Sequence, residues 1–332
     1  MPDAGAMESR RRFDSGMTGG LRGRGDAMIR RLILLAAVAA VFGLAAFWFL
    51  TIPAAVPASA LPAHTPDFAN GKEMFYGGGC ASCHAVPKQP DMTRLGGGLA
   101  LTSAFGTFYV PNISSDPNDG IGGWSEAQFL TAMTKGTSPS GEHLYPAFPY
   151  TSYQHMRFDD LRDLFAFLKT LPAVAGRVRD HDLPFPFNIR RTLGLWKLLY
   201  LDGTPLTPDL SKSAQWNRGA YLVNGPGHCA ECHSPRNALG GVIAGLRFTG
   251  GPSPDGQGGV PNITQYKLKD WSEQDIADTL EDGMTPDADR VGGNMIEVVR
   301  NTSQLTEADR MAIAAYIKSL PAVEGLKRAP TK

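Results

Sequence analysis

Cysteine is scarce in this chain: four in 332 residues, all of them inside two C-x-x-C pairs. With both pairs engaged, no thiol is left over for a disulfide. Net charge is missing too, since 32 basic residues stand against 32 acidic ones. No basic patch offers itself to a phosphate backbone, which argues against nucleic acid as a partner. Strand alternation is scarce, and glycine and proline fill much of the ground between helical stretches. What remains is a mainly α protein.

The two pairs read Cys80-Ala81-Ser82-Cys83-His84 and Cys229-Ala230-Glu231-Cys232-His233. Each is C-x-x-C-H, the sequence that attaches c-type haem. Two thiols one helical turn apart can reach the two vinyl groups on one edge of a porphyrin. The His that follows then swings under the ring as the proximal iron ligand. Cys80, Cys83, Cys229 and Cys232 are therefore candidate attachment points for two covalently bound haem c groups, with His84 and His233 as proximal ligands. A redox-active dithiol or half a zinc site would also use C-x-x-C. The two pairs lie far beyond zinc-ribbon spacing, however, and both carry the following His.

The second motif begins 149 residues after the first, and the sequence echoes at about that offset. Val110-Pro111-Asn112-Ile113 returns as Val260-Pro261-Asn262-Ile263, and Trp124-Ser125-Glu126 as Trp271-Ser272-Glu273. Leu171-Pro172-Ala173-Val174 returns as Leu320-Pro321-Ala322-Val323. One repeat of this length indicates duplicated domains rather than a solenoid. Each unit has about a hundred residues, an ordinary size for a small domain.

From Leu32 to Ile52 the chain is apolar throughout. As a helix, about 21 residues at roughly 1.5 Å each would span about 32 Å, enough to cross a bilayer. Seven arginines and four acids precede it, so residues 1–31 are expected to form a basic cytoplasmic tail. Everything after Ile52 then faces the outer side, the periplasm, where c-type haem is attached. The run exceeds the core of an ordinary signal peptide, which favours a retained anchor. Ala58-Ser59-Ala60 nevertheless has the pattern of a cleavage site, and Met28 would itself make a good start. Outside the tail and the apolar run, 25 basic residues face 28 acidic ones.

A proline-rich spacer is expected over 53–66 and a first domain over 67–174. A connector over 175–214 and a second domain over 215–326 follow. Helices are expected near Ala69–Phe75, Ser125–Thr134, Asp159–Thr170 and Glu307–Ser319. Ser125 with Gln128, and Ser272 with Asp275, look like N-cap pairs. The apolar stretch Leu193–Tyr200 of the connector is expected to pack on both domains as a helix.

The opposite face of each iron separates a relay from a catalyst. A Met thioether there raises the potential and blocks exogenous ligands. In the second domain the candidate is Met295, with Met284 as an alternative, while Met311 belongs to the final helix. In the first, an offset of 147 puts Phe148 opposite Met295, and an offset of 149 puts Pro146 there. Neither can bind iron. Met156 is the nearest loop methionine, and Met133 belongs to a helix core. Met156 matches Leu305, which has the place of a hydrophobic staple. His155 and His143 are rival ligands, and an open iron is the remaining option.

The chain resembles the membrane-associated multihaem cytochrome c subunits of periplasmic dehydrogenases, such as that of quinoprotein alcohol dehydrogenase. The likeness rests on Gly79–Ala85, Pro111-Asn112-Ile113, Gly120–Trp124 and Leu144–Tyr150. In the second repeat it rests on His228–Arg236, Pro261–Thr264 and Val298–Thr302. Those subunits have three haem domains where this chain has two, and the family often has Met at the position of Phe148. The resemblance implies two tandem class I cytochrome c-like domains behind an N-terminal transmembrane helix. It also implies electron transfer from a periplasmic dehydrogenase towards quinone, another cytochrome or a terminal oxidase.

The reading is thus a dihaem relay anchored in the inner membrane, with iron ligands His84, Met156, His233 and Met295. Trp124, Trp271 and Arg236 are candidate neighbours of haem propionates. The rival reading is a dihaem peroxidase or sulfur-compound oxidase with an open first haem. Against it, no acid/base cluster lies near the first motif in the sequence.

Overall fold

The computed structural model describes residues 17–253 and 258–326, with the backbone alone for 17–26. Residues 1–16 of the expected tail lie outside the described residues. The first unit is one helix, α1 (Met17–Leu50). None of its stretch Ala27–Leu50 is buried, and that stretch is long and apolar enough to cross a membrane. The helix ends two residues before the apolar run does, ahead of Pro53, whose ring disfavours a helical conformation in the residue before it.

The second unit begins at Pro53. Its first repeat contains α2 (Phe68–Gly77), α3 (Cys80–His84), an antiparallel hairpin of β1 (Ala100–Ser103) and β2 (Gly106–Tyr109), α4 (Glu126–Lys135), α5 (Tyr150–Tyr153) and α6 (Phe158–Leu168). A connector helix, α7 (Leu193–Tyr200), follows. The second repeat contains α8 (Ala214–Asn224), α9 (Ala230–His233), the short pair β3 (Gly251–Pro252) and β4 (Gly259–Val260), α10 (Gln265–Leu268), α11 (Glu273–Asp282), α12 (Met295–Thr302) and α13 (Glu307–Lys318).

The helices start where the polar side chains direct them. Asp67 accepts hydrogen bonds from the N–H groups of Ala69 and Asn70 at the head of α2. Ser125 and Gln128 form a full capping box on α4, and Ser272 and Asp275 form another on α11. Gly136 and Gly283 end these two helices in the left-handed conformation that glycine adopts without strain. In each repeat the first helix crosses the last at close range, α2 over α6 and α8 over α13. The crossing helices pass over Gly71 and Gly219. Phe129 stacks on Phe165 at 4.6 Å in the first core.

The repeats pack on each other through these same helices. Arg218 of α8 donates to Asp309 of its own repeat at 2.7 Å and to Glu73 of the other at 3.1 Å. The Tyr221 hydroxyl donates to Asp160 across the same interface. The connector joins both sides, as expected. Lys197 Nζ donates to the carbonyls of Lys135 and Gly136 at 2.7 and 2.6 Å, at the C-terminus of α4. Trp196 Nε1 donates to the Leu239 carbonyl of the second repeat at 2.9 Å. The proline-rich spacer lies along the first repeat. There the Val56 N–H meets Thr131 Oγ1 at 2.9 Å, and His64 meets Asp163 at 2.6 Å.

Candidate functional site

Each C-x-x-C-H motif is a single helical turn, so its two thiols and its imidazole share a compact patch. The chain enters both turns through a left-handed residue, Gly79 at φ 56° and His228 at φ 38°. His84 Nδ1 lies 2.8 Å from the carbonyl of Pro111, and His233 Nδ1 lies 2.9 Å from that of Pro261. A carbonyl can only accept, so Nδ1 carries the proton and the Nε2 lone pair is left free for a metal. Burial lowers the His84 imidazole to about 4, against the carbonyl bond, and lowers His233 in the same sense. Both rings are therefore neutral at pH 7, the form that binds iron.

The repeated tetrapeptides hold those carbonyls in place. Asn112 Nδ2 donates to the Val174 carbonyl at 2.7 Å, and Asn262 Nδ2 to the Val323 carbonyl at 2.8 Å. The same amides accept through Oδ1 from the N–H groups of Ser114 and Thr264. Each Val-Pro-Asn-Ile is thus tied to the Leu-Pro-Ala-Val of its own repeat, behind the proximal His.

Burial, with a smaller effect from the partner cysteine, pushes the thiols of Cys80 and Cys229 up to about 12. A redox-active dithiol needs the opposite, a thiolate favoured at neutral pH. Among the described residues no group of three or more His, Cys, Asp or Glu is arranged to hold a metal ion. Neutral thiols one turn apart and an imidazole with a free Nε2 form a donor set that fits covalent haem.

On the distal side the repeats correspond closely and then part. Bridges Thr137↔His143 and Met284↔Arg290 close equivalent loops at an offset of 147. At Met156 and Leu305, whose N–H groups bond to Tyr153 and Thr302, the offset is 149. The two extra residues lie between, where α12 extends a turn beyond the span of α5 and begins at Met295. Met295 packs against the core. The matching stretch, Pro146-Ala147-Phe148, holds no sulfur. Met284 lies in the bridged loop and Met311 in α13, while Met133 is a core residue of α4.

Met156 is 1 % exposed. Its Cγ lies 3.4 Å from where a Cβ on Gly225 would stand, so it packs on the second repeat. Leu305 mirrors it, with its Cδ2 at 3.9 Å from the corresponding point on Gly77. His155 Nδ1 bonds to the Thr204 carbonyl at 2.7 Å, and His143 is buried beneath Arg190, which donates to its carbonyl. Trp124 and Trp271 both pack against the core. Arg236 pairs with Glu231 at 2.6 Å and with the Glu231 and Gly240 carbonyls. Burial pushes the Glu231 carboxyl up, but Arg236 and the hydroxyl of Thr151 together hold it below its usual value.

The two motifs also meet each other. His228 Nε2 lies 3.3 Å from the Gly78 carbonyl, and Tyr153 stands edge-on to His228 with ring centroids 5.7 Å apart. Ser82 and Glu231, the middle residues of the two C-x-x-C turns, both bond to the opposite repeat. Sequence reasoning did not single out Ser82, Glu231 or the proline carbonyls. The x positions of C-x-x-C carry no pattern, and a backbone carbonyl has no sequence signature beyond the Pro-Asn-Ile echo.

A family model described as Cytochrome c matches residues 68–172 and 216–321. The chain belongs to the cytochrome c family. A relative from Cereibacter sphaeroides, described as a diheme cytochrome c-type protein, is 49 % identical over 299 residues, covering 90 % of this chain and all of that protein. The fructose dehydrogenase cytochrome subunit of Gluconobacter japonicus is 37 % identical over 274 residues, 80 % of this chain and 54 % of that one. The cytochrome c subunit of the quinone alcohol dehydrogenase of Gluconobacter oxydans is 36 % identical over 258 residues, 74 % of this chain and 52 % of that one. The chain thus spans about half the length of these two dehydrogenase subunits. As a dihaem cytochrome c it has a mainly α fold with two tandem cytochrome c domains behind an apolar helix. It carries two covalently bound haem c groups and transfers electrons.

Proposed function

We propose that this cytochrome accepts electrons from a periplasmic dehydrogenase and passes them towards quinone, another cytochrome or a terminal oxidase. The observation that carries the reading is the pair of C-x-x-C-H turns, each with its imidazole fixed by a proline carbonyl and both meeting at one interface. Cytochrome subunits of dehydrogenases among the relatives support a dehydrogenase as the donor. The apolar helix and the arginines before it support an inner-membrane anchor with the haem domains on the periplasmic side.

In this reading Cys80, Cys83, Cys229 and Cys232 attach the porphyrins, and His84 and His233 ligate iron through Nε2. The haem supplies reversible one-electron chemistry when attached. The residues around it set its potential and exclude other ligands. Met295, at the head of α12, is the sixth ligand in the second domain. For the first domain the notable methionine is Met156, but its packing on Gly225 supports a core role more than ligation.

The absence of sulfur from Pro146-Ala147-Phe148 keeps a second reading in view, an oxidoreductase with a first haem open to small substrates. The near-infrared sulfur-to-iron charge-transfer band of the oxidised protein, quantified per haem, tests both. Two equivalents of band, one lost in Met156→Ala, establish a closed relay. One equivalent, lost in Met295→Ala, together with carbon monoxide binding at one reduced haem, favours the open oxidoreductase. One equivalent without carbon monoxide binding leaves a relay whose first haem takes a histidine.

A further inference from the structure

α12 carries Met295 at its first residue and Asn301 near its end. Among the described residues its N-cap, Asn294, makes no side-chain capping bond, and the preceding Gly293 sits at φ 58°. Ile296 and Val298 on this helix face solvent, at 55 % and 37 % exposure. The helix is short, and part of what fixes it lies in the other repeat. Asn301 is 1 % exposed, and its Nδ2 donates at 2.9 Å to Ser82 Oγ, inside the first haem motif. Ser82 Oγ donates in turn to the Glu297 carbonyl of α12 at 3.2 Å. Arg300 adds a bond at 2.6 Å to the Pro90 carbonyl of the first repeat.

The same contact exists in the opposite direction. Glu231, inside the second motif, accepts from Thr151 Oγ1 at 2.9 Å and Ser152 Oγ at 3.1 Å. Both hydroxyls belong to α5, which begins two residues after Phe148. At the offset of 149, Ser82 corresponds to Glu231 and Asn301 to Ser152. One contact is therefore built twice, as hydroxyl and amide on one side and as carboxylate and hydroxyls on the other.

We propose that each haem motif positions the distal segment of the other repeat's haem: Ser82 fixes α12 and with it Met295, and Glu231 fixes α5 and the segment that follows Phe148. The first half rests on Met295 as the sixth ligand of the second haem and goes beyond it. Ser82 and Glu231 are positioning residues, each acting on the haem to which its own motif is not bound. Each buried partner would lose a hydrogen bond that water does not replace, so the distal segment gains freedom where the iron needs it fixed.

The test uses the full-length holoprotein, with haem content checked by pyridine haemochrome. Ser82→Ala and Asn301→Ala are expected to weaken the sulfur-to-iron band of the second haem and to admit carbon monoxide there, with two haems still attached. Ser82→Thr, which keeps the hydroxyl, should restore the band. Glu231→Gln is expected to change the ligand-field spectrum of the first haem and leave the sulfur band of the second intact. If Asn301→Ala does not fold, Ser82→Ala decides, because it removes one oxygen and preserves C-x-x-C-H. A band undiminished in Met295→Ala sinks the ligand assignment and the first half of this proposal with it. A band lost in Met295→Ala yet unchanged in Ser82→Ala sinks this proposal alone.

Discussion

Gly71 and Gly219 occupy the same point of the two repeats, and each lies under a carbonyl of its own repeat's last helix. A Cβ on Gly71 would stand 2.2 Å from the Asp163 carbonyl oxygen, and one on Gly219 would stand 1.8 Å from that of Ala312. Both contacts are with backbone, which cannot swing aside. Gly71→Ala and Gly219→Ala should each cost about 1–3 kcal/mol or more through overpacking. Urea unfolding of the holoprotein checks this, and an unchanged midpoint would mean that the crossings are looser than described.

Asn112 and Asn262 stand behind the proximal imidazoles. Removing the Asn112 amide leaves the Ser114 N–H without its partner and the Val174 carbonyl with only the longer bond from Ser114 Oγ, a cost of about 1–3 kcal/mol. It also loosens the Pro111 carbonyl that polarises His84, and a less basic imidazole donates less to iron. Asn112→Ala should therefore raise the potential of the first haem alone, and Asn262→Ala that of the second. A spectroelectrochemical titration that shows both haems moving together in either variant would contradict this.

Attachment should be separable by repeat. The double change Cys229→Ser with Cys232→Ser is expected to halve the haem content and leave the first repeat loaded. The corresponding change at Cys80 and Cys83 should leave the second loaded. Pyridine haemochrome and intact mass give the count, and two haems in either double variant would refute the assignment of the thiols.

Asp163 supplies a pH dependence with a definite sign. Burial pushes its carboxyl up, but bonds from Asn70, the Asp67 N–H and His64 together hold it below the ordinary carboxylate range. A carboxylate depressed in the folded state stabilises the fold above its unfolded value of about 3.9, and that contribution fades as pH falls through the folded value. Stability should thus decline below about pH 4. Asp163→Asn should be less stable at pH 7 and show a shallower acid decline. Circular dichroism melts at pH 7 and at stepped acid pH measure both.

The sequence was most readable where the determinants are local. The C-x-x-C-H turns, the Ser125 and Ser272 caps and the helices ending ahead of Leu171-Pro172 and Leu320-Pro321 each depend on a few neighbouring residues. The tetrapeptide echoes were readable as a repeat, but not as the two halves of one support behind each His. The choice between offsets of 147 and 149 was unreadable because the two extra residues fall in a loop and a helix start without any shared motif. The structure divides it, with 147 up to the bridged loops and 149 from Met156 and Leu305 onward. Contacts between repeats were the least readable, since Ser82 and Glu231 differ in type, and only their place relates them.

Trp196 and Lys197 are neighbours on α7, yet one reaches the second repeat and the other the first. The connector therefore behaves as a wedge rather than a tether. A tether would let the repeats tumble and approach intermittently, so that any jump between them would wait for an encounter and slow in a viscous medium. With the wedge in place beside the direct bonds of Arg218 and Tyr221, the spacing of the repeats is set in advance. An electron that crosses between the repeats is then expected to tunnel over a set distance, at a rate indifferent to the thickness of the surrounding fluid.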